Sequence, residues 1–246
     1  MAGPDYTNIH YELDGEIAIV TIDRLDYRNA VDWVTAGELY DAFRRFEADP
    51  SLKVAILTGA HGTFCAGADL KSASGGGPRP LADRDPAIAP MGPSRILLAK
   101  PVIAAVEGYA VAGGLELACW CDVRVAAADA VFGVFCRRWG IPLIDGGTVR
   151  LPRIVGQGNA LDMILTGRGV SGDEAVRMGL VQRLVPKGQA LEAAKDLARF
   201  IAAFPQGAVI ADRRSAYEQE SLSLDEALAN EDRIGRELIA SGEVAG

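Results

Sequence analysis

Two stretches that read alike decide the fold: "KVAILTGAHGTFCAGADL" (residues 53–70) and "PVIAAVEGYAVAGGLEL" (residues 101–117). Each runs from a short apolar strand, through a glycine and an aromatic, into small Ala-Gly residues and then into the start of an amphipathic helix. A ββα unit used more than once accounts for both. Upstream, "IHYELDGEIAIVTID" (9–23) reads as two alternating strands joined by the turn pair Asp14-Gly15. "WVTAGELYDAFRRFEAD" (33–49) then sets Leu39, Phe43 and Phe46 at helical spacing and stops at Pro50.

Between the two related stretches lies "KSASGGGPRPLADRDPAIAPMGPS" (71–94), so rich in Gly and Pro that it is expected to form a surface loop or lid. The C-terminal half is helical in pattern. Ser171 with Glu174 and Ser223 with Glu226 are spaced as capping boxes, and Gly179 is placed to end the first of these helices before the strand "LVQRLV". From about Gly188 three helices are expected, with Pro205 breaking the first. Their apolar stripe of Leu191, Ala194, Leu197 and Ile201 needs a partner surface, either the chain's own body or another subunit. The chain therefore divides into a core, residues 1–187, and a C-terminal helical region, residues 188–246.

The 246 residues are 49% hydrophobic and 24% charged, enough for one substantial core. Lys and Arg number 25 against 33 Asp and Glu, and the net charge of −8 argues against nucleic acid as a partner. No apolar run is long enough to span a bilayer and the first residues lack a signal-peptide pattern, so a cytoplasmic protein without a membrane partner is expected. Cys65, Cys119, Cys121 and Cys136 do not form a disulfide framework, and two histidines leave little material for zinc. Free thiols, no structural metal and no bound cofactor are expected.

The two strand-to-helix turns carry the chemistry. The first amides of a helix lack internal partners and attract negative charge. Small side chains let a substrate oxygen approach those amides: Ala66, Gly67 and Ala68 in one turn, Ala112, Gly113 and Gly114 in the other. Two such amides converging on one oxygen make an oxyanion hole. Beside the second turn, Glu116 is a lone acid in an apolar run. Burial raises its pKa and the helix end lowers it, and the sequence does not decide between them.

In "FCAGADL" and "KPVIAAVEGYAVAGGLELACWCD" the chain resembles the crotonase superfamily, the enoyl-CoA hydratase/isomerase family, from "IAIVTIDR" through "GLVQRLVP". The resemblance implies an α/β fold, a crotonase-like spiral of ββα units with a C-terminal helical trimerisation region, and a homotrimer or dimer of trimers. It implies an acyl-CoA substrate whose thioester enolate is held by the amides of Ala68 and Gly113, with coenzyme A entering only as part of the substrate. It places the family's first catalytic glutamate on Glu116, against the alternative that Glu116 only stabilises the helix N-terminus. By the same resemblance Arg28, Ala66, Asp69, Leu70 and Lys71 contact the substrate, Arg24 is a second phosphate contact, and Arg213 and Arg214 lie on the helix that in relatives reaches a neighbouring subunit's nucleotide.

The departures matter as much. Aligned without gaps, Cys136 occupies the second-glutamate position of the hydratases, so the two-glutamate site is incomplete. Cys136 reads as an apolar wall residue rather than a nucleophile. Asp145 is the nearest substitute acid, and it reads equally as a turn residue binding backbone amides before Gly146 and Gly147. Arg137, Arg138 and Trp139 read as pocket wall or as surface. Hydration, double-bond isomerisation or another enolate reaction fits this pattern. A catalytically weak acyl-CoA-binding or scaffold trimer is the alternative.

Overall fold

The inner strands are apolar at consecutive positions because both faces of their sheet are covered. The computed structural model describes residues 5–70 and 88–242. β1 (Ile9–Asp14) and β2 (Ile17–Ile22) pair antiparallel with Asp14 opposite Ile17. The turn is therefore Gly15-Glu16, not the expected Asp14-Gly15, and Gly15 takes φ 62°, a conformation that glycine adopts without strain. β3 (Val54–Gly59), β4 (Val102–Val106), β6 (Val123–Ala127) and β9 (Arg183–Val185) follow in parallel, giving the order β1-β2-β3-β4-β6-β9.

Ile19, Ile56 and Ile103 stand side by side in register on one face, packed with Ala194, Leu197 and Ala198 of α6 (Ala190–Ala202). The next row, Val20, Leu57 and Ala104, faces the cluster that contains Leu39, Phe43 and Phe46 of α1 (Trp33–Ala48). The C-terminal apolar stripe thus finds its partner in the chain's own sheet: Ala194 and Leu197 are buried there, with Leu191 and Ile201 packed beside them.

A second sheet of β5 (Tyr109–Val111), β7 (Val131–Gly133) and β8 (Gly169–Ser171) continues the same winding. Val31 bridges Ala68, Cys65 bridges Ala110, and β5 pairs in parallel with β7. Each unit leaves the main sheet, makes a short extended contact with the next unit and returns. This is the expected spiral of ββα units, and it lays the Ala66–Gly67–Ala68 turn against the start of α2 (Gly113–Trp120).

The remaining helices are α3 (Gly147–Val155), α4 (Gln157–Thr166), α5 (Gly172–Arg177), α7 (Gln206–Glu218) and α8 (Leu224–Ser241). Ser223 and Glu226 form the full capping box of α8. At α5 only half of the expected box forms. Ser171 accepts from the Glu174 amide, but the Glu174 carboxylate pairs with Arg168 at 2.7 Å. α7 buries no residue and α8 only Ile234. Among the described residues no helix is long and apolar enough to cross a membrane. Of the expected loop at 71–94, residues 71–87 lie outside the described residues. Its end is not surface, since Met91 and Ser94 are buried.

One buried side chain fastens the loop after β2 to the loop after β3. Asn29, at φ 57°, donates through Nδ2 to the carbonyls of Ala60 (2.9 Å) and Thr63 (2.7 Å) and accepts through Oδ1 from the Arg24 amide (2.9 Å). Asn29→Ala strands buried polar groups and puts a Cβ-bearing residue without a local hydrogen bond in the left-handed region. We expect a loss of about 3 kcal/mol, read as a lower urea midpoint at unchanged slope.

Candidate active site

α2 begins at Gly113 because Ala112 turns the chain sharply, with φ 52° and ψ −124°. That backbone costs a non-glycine residue of order 1–3 kcal/mol and persists because the neighbouring turn holds it. A methyl group on Gly67 would come 2.8 Å from Ala112 Cβ and 3.0 Å from the Gly113 nitrogen, so the two turns touch only because Gly67 lacks one. The amides of Ala68 and Gly113 donate to no protein group among the described residues. Both residues line one cavity of about 290 Å³, together with Ala66, Asp69, Leu70, Glu116, Cys136 and Asp145.

Glu116 sits in the first turn of α2 and is 3% exposed. Its Oε1 accepts from the amides of Asp145 and Gly147, each at 2.8 Å, so the N-terminus of α3 is aimed at it as well as that of α2. A methyl on Gly147 would lie 2.9 Å from Glu116 Cγ, which is why glycine stands there. Burial pushes this carboxyl up to about 7. The Gly147 and Asp145 amides and the Arg150 charge pull it down, while the Asp145 charge adds to the rise. Burial outweighs the helix ends.

Asp145 is 3% exposed and its Oδ1 accepts from Ser94 Oγ (2.6 Å) and the Met91 amide (3.0 Å). It is a cavity wall residue and also the tie that holds the segment around Met91 over the cavity. Cys136 faces the cavity as a protonated thiol: burial raises its pKa first and the Glu116 charge second. His10 and His61 both bond Asp23 instead, at 2.7 Å each. No group of three metal-ligating side chains occurs among the described residues.

Of the expected substrate contacts, Ala66, Asp69 and Leu70 line the cavity. Arg28 lies on an exposed left-handed turn beside it, its carbonyl accepting from the Ala66 amide at 3.2 Å. Lys71 lies outside the described residues. Arg24, the second expected phosphate contact, has a side chain 8% exposed that pairs with Asp32 at 2.8 Å and Asp69 at 3.3 Å and so braces the Ala68 turn. Arg213 pairs with Asp122 at 2.9 Å within the chain, and Arg214 with Glu218 on the surface. Arg138 stacks on Phe135 and bonds the Gly167 carbonyl, whereas Trp139 does line the cavity. The parts that the sequence reading missed are Gly147, Ser94, Met91 and Arg150. None of them carries a local signal, since each acts on a residue at least 29 positions away or through its backbone.

The sequence profile of the enoyl-CoA hydratase/isomerase family matches residues 12–245. The chain is 39% identical over 251 aligned positions to enoyl-CoA hydratase EchA19 of Mycobacterium tuberculosis, covering 98% of this chain and 91% of that one. It is 41% identical to the carnitinyl-CoA dehydratase of Escherichia coli strain K12 over 78% of this chain and 73% of the relative. Among solved structures, enoyl-CoA hydratase EchA1 from Mycobacterium marinum superposes with a TM-score of 0.89 at 38% identity, covering 96% of this chain and 91% of that chain.

A carboxyl raised to about 7 from an ordinary 4.5 makes the folded protein bind more protons than the unfolded chain between those values. Stability is therefore lost as pH rises through that window and stays lower above it, by up to about 3 kcal/mol. Glu116→Gln keeps an oxygen for both amides and removes the penalty. The variant is expected to melt above the wild type at pH 8, with the gap closing toward pH 4.5 in thermal scans.

Proposed function

The chain belongs to the enoyl-CoA hydratase/isomerase family, and from that premise we propose that it hydrates the double bond of a 2-enoyl-CoA thioester, with Glu116 carrying the proton. The observation behind this is a buried carboxyl with a pKa of about 7 in the same cavity as two amides that meet no acceptor among the described residues. Such a group takes and returns a proton at neutral pH with little driving force wasted in either direction.

In this reading the thioester oxygen accepts from the amides of Ala68 and Gly113. The Glu116 carboxylate removes a proton from water as the water oxygen bonds to Cβ. The double-bond electrons move onto the thioester oxygen, giving an enolate that the two amides stabilise, each by about 3–4 kcal/mol. Glu116 then returns the proton to Cα. One C–O and one C–H bond form, the C=C bond is consumed, and the reverse sequence is a dehydration. The names of the hydratase and dehydratase relatives describe these two directions of one reaction.

Asp145 serves as the second acid by position. Its Oδ1 is held by Ser94 and Met91, and its charge raises Glu116, so it orients water rather than carrying the proton. Cys136 at the other acid position leaves proton transfer to Glu116 alone, which also suffices for a 1,3 shift of a double bond; isomerisation is the second reading. Ala66, Asp69 and Leu70 form the wall along which coenzyme A lies, with Arg28 at its charged end. The reaction needs no separate cofactor. Four free, buried cysteines fit a reducing, cytoplasmic setting. Exposed Leu224, Leu228 and Ile239 on α8 support assembly into a homotrimer or dimer of trimers.

Crotonyl-CoA hydration, followed as loss of absorbance of the conjugated thioester, tests the reading. Glu116→Gln is expected to lower kcat by about 10²–10⁴-fold, Asp145→Asn to lower it less, and Cys136→Ala to leave it nearly unchanged. Because the carboxylate form accepts the first proton, kcat/KM is expected to rise about tenfold per pH unit below 7 and to level off above it. Acyl-CoA binding without Glu116-dependent turnover of crotonyl-CoA or a 3-enoyl-CoA would instead establish the scaffold alternative.

A further inference from the structure

Behind the wall that carries Ser94 and Asp145 lies a second cavity, of about 520 Å³, between the C-terminal end of α2, α3 and α7. In a protein of net charge −8 this hollow is basic. Arg95, Arg124, Arg150, Arg153 and Arg213 line it, against two carboxylates, Asp122 and Glu220. Both acids are already engaged: Asp122 with Arg213 at 2.9 Å, and Glu220 with Arg153.

Among the described residues the other three guanidiniums meet carbonyl oxygens only. Arg124 donates to Leu180 (2.6 Å) and Cys121 (2.7 Å), Arg150 to Ser94 (2.7 Å) and Asp145 (3.2 Å), and Arg95 to Ile144 (3.3 Å). Carbonyls satisfy N–H groups but do not cancel the charge. In addition Arg213, a lining residue, keeps its Nε buried with no hydrogen-bond partner among the described residues. α7 contributes no buried apolar side chain to fill the space. The volume exceeds what one inorganic ion needs and suits a small metabolite.

We infer that this cavity is a second ligand site, separate from the acyl cavity, that takes a small polyanion bearing phosphate or carboxylate groups held by Arg95 and Arg150 and by the donors of Arg153 that its pair with Glu220 leaves over. Guanidinium forks match both oxyanions in geometry and charge. The site is also wired to the acyl cavity. Arg150 bonds the backbone carbonyls of Ser94 and Asp145, the two residues joined over the Glu116 wall, and its charge holds the Glu116 carboxyl down. An anion paired with Arg150 weakens that hold, so occupancy raises the pH at which Glu116 loses its proton.

The test is calorimetric titration of the full chain with inorganic phosphate and, separately, with citrate, at ionic strength fixed by chloride. Saturable binding of one or both anions is expected, weakened roughly tenfold in Arg95→Gln and in Arg153→Gln and unchanged in Arg236→Gln on the exposed face of α8. Binding of phosphate alone assigns a phosphate ester, and of citrate alone a polycarboxylate. Arg95 and Arg153 are exposed, so their variants fold, and matching melting temperatures without anion check this. Absence of saturable binding by either anion, or equal binding by the two cavity variants and the wild type, overturns the inference. The shift of the kcat/KM profile to higher pH on adding the bound anion reads the coupling through Arg150.

Discussion

A carboxyl group held out of water by one of its oxygens is the constraint from which the site follows. Glu116 Oε1 takes two backbone amides, from Asp145 and Gly147, that belong to a different unit of the spiral. Those bonds fix where α3 may begin, demand a residue without Cβ at Gly147, and set Asp145 with its side chain turned away toward Ser94 and Met91. They also divide the carboxyl's work between its two oxygens: one is structural and the other remains for the cavity. An acid so placed keeps its orientation through a cycle of protonation, because amides donate to a carbonyl oxygen as well as to a carboxylate.

The same economy governs the two turns. Among the described residues the amides of Ala68 and Gly113 have no acceptor, which a buried amide tolerates only where a guest or water completes it. Keeping them bare requires that the loops around them be satisfied from elsewhere. Asn29 supplies the carbonyls of Ala60 and Thr63, and Arg24 braces Asp32 and Asp69. The rigidity of the site therefore rests on polar residues that never enter the cavity.

What could be read from the sequence was what is local. The ββα repeat shows in the succession of apolar strand, glycine, aromatic and small residues, and the small residues of both turns point to close approach of a ligand. The helices after residue 188 show in their spacing. What escaped was set by competition or distance. Gly15 takes the first central position of its turn because the pairing of Asp14 with Ile17 leaves it there. Glu174 abandons its capping box because Arg168 offers a charged partner. The bracing role of Arg24 was not legible beside its expected phosphate contact, since only the fold brings Asp69 to it across 45 residues. The direction of the Glu116 shift was also open, because desolvation is a property of the finished cavity.

Cys136 then ceases to look like a loss. Its thiol is pushed up in part by the charge of Glu116, so this position lies within that carboxyl's field. Asp145 raises Glu116 from the other side, and burial has already brought it to about 7. A further carboxylate at position 136 would add a like charge and raise the Glu116 carboxyl further. A neutral side chain there spares Glu116, the proton carrier of the proposed mechanism, that further rise. Asp145, held by Ser94 and Met91, already sets one like charge beside Glu116, and under the proposed mechanism a neutral side chain at Cys136 adds no second one.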